Sequence, residues 1–100
     1  MHGAAMTPHE QQERGRRAQA LLDDELLQEA LKAIADEVSA QWLACPARDK
    51  EGKEALWQLA KTADKFKAVL TGYVQTGKLA ADQLKRFEKE SLLRQALNRF

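Results

Sequence analysis

Two stretches with apolar residues at helical spacing flank one short break, Cys45-Pro46-Ala47-Arg48-Asp49. Before it, Leu27, Leu31, Ile34, Val38 and Trp42 recur at steps of three and four; after it, Leu56, Leu59, Ala63, Phe66, Leu70 and Tyr73 do the same. Such steps gather each set on one face of a helix. A short connection containing proline predicts that the two helices fold back as a long antiparallel hairpin. No alternating Val/Ile/Thr run and no Asn-Gly turn competes with helix, so the predicted class is all-α.

Local signals extend this to four helices, over about residues 8–22, 24–44, 50–75 and 79–97. Thr7-Pro8-His9-Glu10 is a helix start, with Thr7 as cap, Pro8 at the first helical position and Glu10 completing a capping box. The first helix is polar apart from Ala18, Leu21 and Leu22, and Gly15 weakens it, so it is expected to be marginal unless docked. Asp23 and Asp24 can cap the second helix, or the two can run on as one rod. Pro46 disfavours helical geometry at Cys45 and ends the second helix near Ala44. Asp49 caps the third. Thr76-Gly77 is read as its end, with Gly77 in the left-handed conformation. An added C-terminal helix then carries Leu79, Leu84, Phe87, Leu92, Leu93 and Leu97, a stripe that drifts at the five-residue step from Phe87 to Leu92. Residues 1–6 are expected to be flexible and 7–100 to form a single domain.

Composition narrows the class. The chain is 44% hydrophobic and 31% charged, too apolar for a disordered chain and too charged for a membrane protein. No apolar run approaches the roughly 20 residues of a membrane span, and no hydrophobic core of an export signal stands at the start. Cys45 is the single cysteine, so no internal disulfide forms. A net charge of +1 removes any bulk-charge case for nucleic acid, but the charge is unevenly spread. Residues 23–44 carry six acids against Lys32, a net −5, while residues 78–100 carry six bases against three acids, a net +3. An acidic helix and a basic end can pair within one protomer or between protomers.

Candidate chemistry is sparse. His2 and His9 lack the further fixed ligands a metal needs. Asp23, Asp24, Glu25 and Glu29 read as caps and a solvated face; catalysis would require burial or a like-charge clash to separate their pKa values. Cys45 has no histidine near it in sequence to act as base, and the glycines are too scattered for a phosphate loop. No cofactor, metal or small-molecule substrate is expected. Trp42 and Trp57 flank the break and are read as a small aromatic core, each costing about 3–5 kcal/mol on truncation to alanine, or else as an interface anchor. Leu84, Phe87, Leu92, Leu93 and Leu97, with Phe100, lack an obvious internal partner and are candidate interface residues. Arg14, Arg16 and Arg17 are candidate phosphate contacts, although Glu10 and Glu13 stand beside them.

The stretch Ala44-Cys45-Pro46-Ala47-Arg48-Asp49-Lys50-Glu51-Gly52-Lys53-Glu54-Ala55-Leu56-Trp57, with Lys65-Phe66 and Thr76-Gly77-Lys78-Leu79-Ala80, resembles small helical proteins of tailed bacteriophages encoded among head and DNA-packaging genes. Arg17 to Leu31, with its Leu22-Asp23-Asp24 step, fits the same pattern, and the likeness covers about residues 14–84. It rests on spacing and composition and brings no binding residues. It implies a non-enzymatic role in virion assembly or packaging, in the host cytoplasm or the virion. The partners would be further copies of the chain or a larger head, portal or packaging protein, and no membrane. The alternative is a DNA-binding subunit similar to a small terminase subunit, with Arg14, Arg16 and Arg17 as its test.

Overall fold

The computed structural model describes residues 5–99. They form three helices: α1 (Pro8–Asp23), α2 (Glu25–Ala44) and α3 (Lys50–Asn98). The class is all-α, as expected, with no strand among the described residues. Of the segment expected to be flexible, residues 1–4 lie outside the described residues.

The helix starts follow from local hydrogen bonding. The Thr7 amide donates to Glu10 Oε1 at 2.9 Å and the Glu10 amide to Thr7 Oγ1 at 3.2 Å, a complete capping box. Asp24 alone separates α1 from α2. Its backbone is extended (φ −69°, ψ 121°), and its Oδ1 accepts from the Leu27 amide at 3.0 Å. One residue thus closes α1 and caps α2, so the two do not form a continuous rod. Gln28 Nε2 bonds the Leu22 carbonyl at 2.8 Å, occupying an acceptor that the end of α1 leaves open. Cys45 is extended before Pro46, and Asp49 Oδ1 accepts from the Gly52 amide at 2.9 Å to start α3.

The expected break at Thr76-Gly77 is absent, and so is a separate C-terminal helix: α3 runs through both residues for 49 residues. At about 1.5 Å per residue it is roughly 70 Å long, and the molecule measures 79 × 30 × 20 Å. No described glycine has positive φ, so Gly77 is helical rather than a left-handed cap. Its use is close approach. A Cβ built on Gly77 would lie 3.0 Å from Gly15 Cα and 3.1 Å from the Gln11 carbonyl oxygen. One on Gly15 would lie 2.8 Å from the Tyr73 carbonyl oxygen and 2.9 Å from Gly77 Cα. The backbones of α1 and α3 therefore touch where both lack side chains.

That crossing organises the core. Ala18 and Ala80 are 3% and 1% exposed, and Leu70 and Val74 are buried in one cluster with Ala18. Leu22 of α1, Leu27 of α2 and Tyr73 of α3 pack around this cluster, so all three helices meet where α1 turns into α2. Burying an aliphatic side chain here is worth about 1.5–3 kcal/mol. The helix expected to be marginal is thus the one most closely packed on α3. By contrast, no residue of α2 is fully buried. It meets the first half of α3 along shallow hollows, one lined by Leu31, Val38, Ala60 and Ala63, another by Trp42, Leu56 and Trp57.

Candidate interaction surface

Three places on the molecule gather the sequence-predicted residues, and each is arranged differently. The first is the exposed side of α1. Arg14 lies over the Tyr73 ring, 4.1 Å from its centroid, a cation–π contact across the α1–α3 seam. Arg16 is held by Glu13 on its own helix at 2.5 Å. That hydrogen bond is the main reason the Glu13 carboxyl lies below, and the Arg16 guanidinium above, its ordinary pKa. Arg17 lines an open groove of about 650 Å³ with Met6, His9, Leu21, Leu70 and Tyr73. The three arginines therefore do not form one patch: the first is stacked and the second is ion-paired.

The second place is the connection between α2 and α3. Trp42 and Trp57 come together there but remain 41% and 48% exposed, which corrects the expectation of a closed aromatic core. Lys53 covers Trp42 instead. Its Nζ is 4.2 Å from the ring centroid and donates to the Trp42 carbonyl at 3.2 Å, at the end of α2 where a cation suits the dipole. Lys61 stands more loosely over Trp57, at 5.5 Å. The Cys45 thiol faces Asp49, with Sγ 3.7 Å from Oδ2. A thiol beside the carboxylate that caps α3 is an arrangement for ending one helix and starting the next.

The third place is the end of α3. Beyond Ala81 and Leu84, which are half-buried, every described residue is exposed. Phe87, Leu92 and Leu93 are each 62% exposed and Leu97 72%; Phe100 lies outside the described residues. Among the described residues this stripe finds no partner, as expected. Lys85 and Lys89 precede Leu92, Leu93 and Ala96 at steps of three and four, so a basic face continues into an apolar one. The only ion pairs among the described residues are Arg16–Glu13 and Lys32–Asp36, so the cations of this end are unpaired there.

Of the carboxylates singled out near α2, Asp23 and Asp24 make local bonds, and Glu25 and Glu29 are exposed. Asp24 caps the helix, and Asp23 Oδ1 accepts from Gln19 at 3.0 Å. His2 lies outside the described residues. Among those residues no group of three or more histidine, cysteine or acidic side chains is placed to hold a metal. No described helix is long and apolar enough to cross a membrane.

Sequence reading missed the Gly15–Gly77 contact and its flanking Ala18 and Ala80. The signal was present as Gly15-Arg16-Arg17-Ala18 and Gly77-Lys78-Leu79-Ala80, small residues three apart on two helices. Each glycine taken alone reads as a weak point, and only the pair reads as a contact.

No protein-family model matches the chain, and neither a curated protein nor a solved structure is significantly similar to it.

Proposed function

We propose that the protein is a non-enzymatic assembly component, working through the projecting end of α3. The α2–α3 pair is read as the antiparallel hairpin, with α1 clasped across the middle of α3. The bacteriophage role is the one implied by the resemblance of residues 44–57, 65–66 and 76–80, in which the chain oligomerises as part of a larger head, portal or packaging assembly. The observation that carries the reading is the exposure of Phe87, Leu92, Leu93 and Leu97 on one helix end, with none of the other described residues covering it. An apolar stripe of this kind costs solubility unless another surface covers it. DNA contact through Arg14, Arg16 and Arg17 has less support, since Arg14 is stacked on Tyr73 and Arg16 is bonded to Glu13.

The test is the native mass by light scattering at high micromolar concentration and low salt. A particle heavier than the 11.3 kDa chain, made lighter by Leu93→Glu, is expected. Wild-type protein at the mass of one chain, unchanged by that substitution, would sink the reading.

A further inference from the structure

We infer that the end of α3 docks on the outward face of α2 in a second copy of this chain, reciprocally, so that two copies close as a pair. The inference rests on the assembly reading above and names its partner. Three observations carry it. First, the two surfaces are opposite in charge: α2, residues 25–44, holds four acids against Lys32, a net −3, and residues 78–100 hold a net +3. Pairing α3 ends with each other would oppose like charges, whereas α2 supplies the complement. Second, the acidic surface is exposed, although Asp36 is paired on its own helix with Lys32. Glu29, Asp36 and Glu37 are exposed on the side of α2 turned away from α3, with Leu26 and Leu43 exposed at its two ends. Third, the two surfaces cannot meet within one chain. The part of α2 that holds Asp36 shares its hollow with Ala63, and Ala63 to Lys89 is about 40 Å of unbroken helix. Continuity of α3 through Gly77 is what keeps the basic end from folding back. Each copy carries both surfaces, so one two-fold operation satisfies both and leaves no open surface to propagate a fibre.

Charge reversal tests this on the full chain. One variant carries Lys85→Glu with Lys89→Glu; another carries Glu29→Lys with Glu37→Lys, two acids with no ion partner among the described residues. All four side chains are exposed, and far-UV circular dichroism checks that helix content is kept. Light scattering across a dilution series should find wild-type protein at twice the chain mass, weakening with salt. Each variant alone should dissociate at a concentration at least tenfold higher than wild type. An equimolar mixture of the two variants should recover the pair, because each reversed surface then meets its complement. If reversal on α2 leaves the mass unchanged while reversal on α3 or Leu93→Glu lowers it, the α2 docking is overturned and the assembly reading survives. Wild-type protein at single-chain mass at low salt overturns both.

Discussion

Residues 70–81 and residues 85–98 belong to one uninterrupted helix, yet they differ in almost every respect that packing controls. The first stretch is rich in small residues, Gly72, Gly77, Ala80 and Ala81, and it contains most of the buried core. The second has large apolar side chains and better helix formers, and it is bare. The difference teaches that burial in this molecule follows how near two backbones come, not how apolar a segment is. Gly15 and Gly77 let α1 settle onto α3, which brings Ala18, Leu70 and Val74 into one cluster. No glycine pair lets α2 approach as closely, and its Leu27, Leu31 and Val38 stay half-buried while Leu26 and Leu43 are exposed. The same contact explains how a polar first helix is held: Gly15 and Ala18 are buried, and Leu22 packs against the same cluster.

The comparison can be broken most directly at the crossing. Gly77→Leu should lower stability by about 3 kcal/mol or more, since a side chain there meets backbone that cannot step aside; thermal unfolding followed by circular dichroism measures it. An unchanged melting temperature would mean that α1 is not clasped to α3. At the α2–α3 connection, Trp42→Ala and Trp57→Ala should each cost only about 1–2 kcal/mol, because close to half of each ring is already in water. Losses of the 3–5 kcal/mol typical of buried aromatics would show that these rings are covered in solution, and would move the core toward α2.

Gly72 offers the opposite sign. Nothing lies within 4 Å of a Cβ built on it, so Gly72→Ala should stabilise the protein by about 0.5–1 kcal/mol through helix propensity alone. Five residues thus separate a glycine the fold requires from one it does not. The smallest effect is expected at the start of α1. The Glu10 carboxyl is held below its ordinary value of 4.5, chiefly by the Thr7 amide. Its contribution is therefore complete above that value, and is lost as pH falls through the lowered one and the folded state takes up the proton. Melting temperatures of wild type and Glu10→Gln should converge on acidification; a gap that stays constant down to strongly acidic pH would remove the capping box as its cause.

The sequence by itself determined what depends on a few neighbouring residues. Thr7, Asp24 and Asp49 mark helix starts because their side chains bond amides three residues on. Pro46 marks a stop because its ring restricts Cys45. The exposure of Phe87, Leu92, Leu93 and Leu97 was also legible, since their stripe drifts and lacks an obvious internal partner. Tertiary structure alone decided the rest. Whether Gly77 ends a helix or admits another backbone depends on what lies beside it, and α1 is distant in sequence. Arg14 left its basic cluster because Tyr73 presented a ring across the seam. Trp42 and Trp57 met as their positions implied but stayed half-exposed, because the α2–α3 contact is shallow where no glycine pair draws the helices together. Local hydrogen bonds and ring constraints act within a turn or two and can be read along the chain. The distance between two helix axes is set by pairs of residues from both, and it exists only once the chain has folded.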